Sequence, residues 1–386
     1  YTLALQNGDQ DFAAAEQTFE LLLQQYPQGQ HRDQAWFLRG ESEYMQGRRE
    51  QAAESYRRLL EDHPDSELRK NALYAYGVTL EELKQIADAD KTYDEYQTKY
   101  GDDALATEIK MRKAETILQR GDPQRAEALF AEVAAVPDFA QLNHARYRQA
   151  VCLARLERFA EAGELFMRVA NQDDESRYQR DARMAAGRAF YRAEKFSDAA
   201  AAFAPLLDGD DPDSTEAAHW QARVLLKSDR PTDALRLVDS ALPKAEAGAH
   251  PFAMNLRMDQ ADATYELPDR KRQALELYTR IAREHPDDPL AAEALYNAAF
   301  AALELKEYRI ARQQADEFVS KYREHRLLPD VKRIDAECRL QQGDAEQAAQ
   351  IYAVLVSTAA PDAAAPLVLR QAVALNILKR HDVMLK

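Results

Sequence analysis

One small residue recurs along this chain at a nearly constant period. Ala15, Ala52, Ala89, Ala126, Ala162, Ala199, Ala234, Ala274, Ala311 and Ala348 lie 37, 37, 37, 36, 37, 35, 40, 37 and 37 residues apart. Nearly all are followed, four residues later, by an aromatic or branched aliphatic side chain. Ten marks at such regular spacing define an array of repeated units. A chain of 386 residues would otherwise be expected to divide into two or three globular cores. An array needs no large core, because each unit buries its apolar face against its neighbours.

Each unit reads as two amphipathic helices. Trp36, Gly40 and Tyr44 recur at spacings of four, Gly47 breaks the pattern, and Ala52, Ala53, Tyr56, Leu59 and Leu60 resume it. His63-Pro64 ends the second helix, since the residue before proline is pushed out of the α region, and Asp65 or Ser66 is placed to cap the next one. Composition agrees: 12 Gly and 15 Pro are few for this length, which disfavours hairpin-rich β folds. A hydrophobic share of 46% is too high for disorder, and no apolar run approaches the ~18 residues of a membrane span. The net charge of −15 opposes nucleic-acid binding, which depends on Lys and Arg displacing counterions from phosphates.

Trp36, Gly40, Ala52, Tyr56 and Pro64 carry the spacing of the tetratricopeptide repeat, which this chain resembles over nearly its whole length. Leu73, Tyr76, Gly77, Leu80, Ala89 and Tyr93 give another copy, and Ala274, Tyr278 and Pro286 repeat its second half. Arg39 stands where the family has Leu, and Gly101 replaces the closing Pro. The resemblance implies an all-α, right-handed solenoid of tandem helix-turn-helix repeats over 1–386, ten units and part of an eleventh. Residues 365–379 would be that unit's first helix. The repeats exceed the family's usual length by three residues, placed between the closing Pro and the next helix in PQGQHRDQAW, PDSELRKNAL and PDDPLAAEAL. The insert is expected to add a helical turn to each first helix. In this style the repeats resemble the long-form units of bacterial envelope proteins, such as the outer-membrane β-barrel assembly lipoprotein and the periplasmic Tol-Pal coordinator. A periplasmic or outer-membrane-associated location is therefore expected, with the cytoplasm as the alternative. Tyr1 begins in what reads as helix interior, so a trimmed start is expected.

The repeat is least regular between Ala234 and Ala274, where Pro243 to Pro251 reads as a longer loop. That loop offers a possible subdivision into 1–247 and 248–386. Asp208 to Asp213 reads as a solvated acidic turn rather than a calcium loop.

No catalytic or cofactor motif emerges. The eight histidines never lie within four residues of one another, and no Walker, G-x-S-x-G or G-x-G-x-x-G sequence occurs. His63 and His285 share a place before Pro, and Cys152 and Cys338 share a small-residue site in their repeats, so helix ending and burial explain them. No metal, cofactor or enzymatic activity is expected.

What remains is the surface of the first helices, which in the family lines the concave side. One register there reads Phe37, Tyr74, Met111, Tyr147, Met184, His219 and Tyr296, with Tyr44, Arg188, Tyr191, Arg223 and Phe300 beside it. These side chains either line a groove for an extended or helical peptide, or cover neighbouring helices as core. Arg188 and Arg223 are candidates to receive a carboxylate. The Lys and Asn pair with which some family members hold acidic chaperone tails is absent, since Phe37 and Glu41, Tyr74 and Val78, and Met111 and Glu115 occupy those sites. The expected role is a non-catalytic scaffold for a protein or peptide partner, with no membrane insertion and the oligomeric state left open. A spacer, or the regulatory part of a larger protein, is the alternative.

Overall fold

The computed structural model describes residues 10–172 and 178–379, and among them are twenty α-helices, one short 3-10 helix and no strand. The helices fall into two compact units, 1–195 and 196–386. The first holds α1 (Gln10–Gln25), α2 (Arg32–Met45), α3 (Arg49–Asp62), α4 (Arg69–Glu82), α5 (Ile86–Tyr100), α6 (Ala106–Gln119), α7 (Pro123–Ala134), α8 (Leu142–Arg155), α9 (Phe159–Ala170) and α10 (Tyr178–Arg192). The second holds α11 (Phe196–Phe203), α12 (Pro212–Lys227), α13 (Pro231–Ala247), α14 (Ala253–Glu266), α15 (Lys271–Glu284), α16 (Ala291–Glu304), α17 (Tyr308–Lys321), α18 (Leu328–Gln341), α19 (Ala345–Thr358) and α20 (Pro361–Ile377). Within each unit every helix packs on the next, and first helices of neighbouring pairs also touch, as α8 does α10 and α16 does α18. Each unit is a stack of tandem helical pairs, the architecture of an α-solenoid.

The repeated alanine marks the core. Nine of the ten, Ala52 through Ala348, are 0% exposed, while Ala15 on α1 is half-buried. The residue four positions later is buried in each of those nine units, from Tyr56 and Tyr93 through Phe130, Phe203 and Tyr352. A methyl side chain lets the second helix approach closely, and the ring then fills the gap to the first. Gly40 and Gly77 complete that approach: a Cβ on Gly40 would stand 2.6 Å from the Tyr56 ring, and one on Gly77 would collide with Tyr93.

Five residues before each of those nine alanines, the chain turns through a left-handed residue. Gly47, Gly121 and Gly343 take φ of 78°, 86° and 88°, and Lys84, Glu157, Glu194, Asp229, Asp269 and Lys306 take φ between 56° and 60°. In eight of the nine turns the next N–H bonds back five residues, as Gln85 N does to Leu80 O at 2.9 Å and Glu307 N to Ala302 O at 2.8 Å. That is the Schellman closure, which satisfies the last carbonyls of the first helix. His63 and His285 terminate α3 and α15 with φ of −132° and −130°, outside the helical region as the following prolines require.

Four expectations are corrected. The insert is mostly turn: residues 64–68 form turns and α4 begins only at Arg69. Ser66 does not cap α4, whose N-cap is Leu68 without a side-chain bond; its Oγ instead accepts from Leu68 N at 3.1 Å. Asp103 and Asp288 accept likewise from Leu105 N at 3.0 Å and Leu290 N at 2.8 Å, so a local side-chain turn replaces the expected helical turn. The segment from Pro243 is helical as far as Ala247, and Pro243 lies inside α13. At 17 residues α13 is three longer than α15, which accounts for the interval of 40. In the acidic stretch, Pro212 and Asp213 already belong to α12, and Asp211 caps it by accepting from Ser214 N at 2.8 Å.

Among the described residues no helix is long and apolar enough to cross a membrane. Cys152 and Cys338 are 0% exposed free thiols, each pushed up to about 12 by burial.

Candidate functional site

The exposed side of the first helices is a series of hollows separated by polar bridges. In the first unit, Phe37, Tyr44 and Tyr74 come together with Met45, Val78 and Leu105 in a hollow of about 700 Å³ between α2, α4 and α6. Phe37 leans on the Tyr56 ring at 6.0 Å. Tyr44 donates to Glu82 at 2.5 Å and Tyr74 to Glu108 at 2.8 Å, which fixes both rings across adjacent repeats. Burial, followed by those carboxylates, raises both phenols above their ordinary value. Tyr147 and Arg188 line another hollow of about 400 Å³, with Phe159, Phe166 and Arg192. In the second unit, Arg223, Tyr296 and Phe300 line one of about 390 Å³ with Tyr265 and Tyr278, and the Tyr296 and Phe300 rings stack at 6.3 Å. Phe300 also borders an apolar hollow of about 700 Å³ formed with α18, α19 and α20.

Some expected rungs sit elsewhere. Met111 and Met184 are 4% and 6% exposed, so they are core: a flexible unbranched side chain folds down between helices where a rigid ring at the same register stands out. Tyr191 is half-buried. His219 is half-buried, flanked by Trp220 and Phe252 at ring distances of 5.1 and 5.6 Å, with Nδ1 on Asp259 at 2.6 Å. Asp259 is 1% exposed, and burial raises its carboxyl against the opposing pull of His219 and Arg223. Arg223, expected to receive an incoming carboxylate, is bonded to the chain's own Asp262 at 2.6 Å.

A polar network escaped the sequence reading. Arg148 grips Glu115 with two bonds of 2.6 Å, Arg112 joins Glu81 at 2.9 Å and Glu108 at 3.2 Å, and Asp262 accepts from Tyr278 at 2.6 Å. Glu337 accepts from Tyr352 at 3.0 Å and pairs with Arg370. Burial pushes Glu337 up, but the bonds from Gln341 and Arg370 hold its carboxyl below the usual value; at Glu81 burial wins and raises it despite Arg112. Glu115–Arg148 and Glu337–Arg370 share a separation of 33 residues, a signal that a search for opposite charges near the repeat period would have found. Within each unit, aromatic hollows lie beside fixed charges on the first helices.

Comparison with known proteins agrees with the geometry. Two models described as tetratricopeptide repeat match, one over 34–66, 71–103 and 293–325 and the other over 111–176 and 184–253, together more than half of the chain. No curated protein sequence matches. Similar solved structures include a tetratricopeptide repeat protein from Parabacteroides merdae, 13% identical, covering 69% of this chain and 98% of its own with a TM-score of 0.43. The human IFIT1 dimer with m7Gppp-AAAA is 13% identical, covering 98% of this chain and 93% of its own with a TM-score of 0.43. Naa15/Naa10 bound to HypK-THB is 13% identical, covering 88% of this chain and 55% of its own with a TM-score of 0.40. With helical pairs recurring at 37 residues, alanines buried in register and family models matched along both units, the chain belongs to the tetratricopeptide repeat family.

Proposed function

We propose that the face formed by the first helices binds a protein or peptide segment and performs no chemistry on it. The observation that carries this is the recurrence, in both compact units, of hollows walled by half-buried rings: Phe37, Tyr44 and Tyr74, then Tyr147, then Tyr296 and Phe300. Rings held in place by neighbouring helices supply contact area at low entropy cost, and the surrounding ion pairs set register. The style of the long repeats supports a place in a bacterial envelope assembly, to be tested by fractionating the tagged full-length protein between periplasm, outer membrane and cytoplasm.

The binding reading is tested by selecting from a displayed library of random dodecapeptides on the immobilised protein. Peptides should be enriched on the wild type and lose binding to a variant combining Tyr74→Ala, Tyr147→Ala and Tyr296→Ala, with helicity preserved by circular dichroism. Selected peptides that bind both proteins equally would refute the assignment of the face and favour a spacer role.

A further inference from the structure

The hollows of the first unit differ in charge. The one holding Phe37 and Tyr74 contains Glu41 and Asp103 beside Lys70 and Arg112. The next sets Glu81, Glu82, Glu108 and Glu115 against Lys84 and Arg112. The third, between α8, α9 and α10, is walled by Tyr147, Phe159 and Phe166 and carries Arg155, Arg188 and Arg192, with no carboxylate among its described lining residues. In a chain of net charge −15, a hollow whose described lining carries arginines and no carboxylate is a local reversal.

Two of those arginines lack an acidic partner among the described residues. Arg112 and Arg148 are committed to the protein's own glutamates, whereas Arg155 and Arg192 have none; Arg192 lies over the Phe159 ring with its guanidinium 5.5 Å from the centroid. Both are exposed, and both end their helices at one place in the repeat, 37 residues apart. The two preceding repeats end their first helices with Glu82 and Gln119 there, so the stacking of helices does not demand a cation. Beneath them the Tyr147 and Phe166 rings meet edge-on at 5.2 Å, an apolar floor with cations at its rim.

We propose that this hollow receives an acidic peptide segment carrying an aromatic side chain next to its carboxylates. The ring would lie on Tyr147 and Phe166, and the flanking carboxylates would meet Arg155 and Arg192 in charge-assisted bonds. This rests on the first-helix face being the binding face, and adds the chemistry of what one part of it takes.

The test is fluorescence anisotropy with a labelled heptapeptide of aspartates and glutamates around one central phenylalanine. Its counterparts carry lysines in place of the acids, or alanine in place of the phenylalanine. The acidic aromatic peptide should bind best and weaken as salt rises. Arg155→Glu with Arg192→Glu should weaken it about tenfold or more, while Arg155→Lys with Arg192→Lys retains part of the affinity. Tighter binding of the lysine peptide, or an affinity unmoved by the charge reversals, would overturn the proposal. If the lysine peptide binds and Tyr147→Ala abolishes it, the acidic assignment falls while the binding face stands. If neither peptide binds, the assignment also falls, and the library selection judges the face separately.

Discussion

The left-handed turns between paired helices give a graded stability prediction. Lys84, Glu157 and Lys306 hold φ of 60°, are exposed, and form no ion pair or side-chain hydrogen bond among the described residues. Replacing each with Gly therefore changes little besides the backbone. Relief of the left-handed conformation is worth about 1–2 kcal/mol for an L-residue. The greater freedom of Gly in the unfolded chain returns about 0.5–1 kcal/mol. The net expectation for Lys84→Gly, Glu157→Gly and Lys306→Gly is a gain of about 0.5–1 kcal/mol each. The reverse experiment uses Gly47→Ala, Gly121→Ala and Gly343→Ala, where an added Cβ meets nothing within 4 Å. These should lose about as much, through the backbone alone. A long array does not unfold in one step, so the readout is amide exchange in the helices flanking each turn. A gain of that size slows exchange roughly two- to fivefold. Unchanged or faster exchange in all three Gly variants would refute the claim that the turns hold strain.

Two further outcomes follow from the packing and the charges. Gly77→Ala should destabilise despite the better helix propensity of Ala: overpacking against Tyr93 costs about 1–3 kcal/mol against a gain of about 1. Combining it with Tyr93→Leu should recover part of the loss, and a denaturation midpoint above the wild type for the single variant would contradict the close approach. Asp103 is held down at about 2, chiefly by the Lys70 ammonium, then by Leu105 N–H and the Tyr96 hydroxyl. Because that lies below the ordinary 3.8, its contribution is fully present above about pH 4 and lost as pH falls toward 2. Carboxyl NMR titration should place Asp103 near that value, and Asp103→Asn should flatten the acid limb of the stability profile. A midpoint near 4 would contradict the bond network.

What the sequence disclosed depends on how many repeats a structural requirement constrains. The alanine position is fully buried in nine units, where the second helix packs against the first, so one residue type recurs and the phase of the array is readable. The turn five residues earlier is equally regular in the backbone, yet Gly marks it only at Gly47, Gly121 and Gly343, because a moderately strained Lys, Glu or Asp is tolerated elsewhere. At the insert, Ser66, Asp103 and Asp288 satisfy a nearby backbone N–H, and a helical reading of PDSELRKNAL missed that competition.

The face of the first helices is harder to read for a different reason. Whether a side chain at one register stands up or lies down depends on its stiffness: Tyr74 is held out by Glu108 while Met111 folds into the core. The polar bridges depend on the offset between stacked repeats, which varies by more than one helical turn. Glu115 meets Arg148 across 33 residues, Tyr44 meets Glu82 across 38, and Arg223 meets Asp262 across 39. A single period therefore finds the core, where every unit obeys it, and misses the rim, where bridges recur at separations of 33 and of 38 to 39. At that rim otherwise similar units present different charges: mostly acidic beside Glu81 and Glu115, basic beside Arg155 and Arg192.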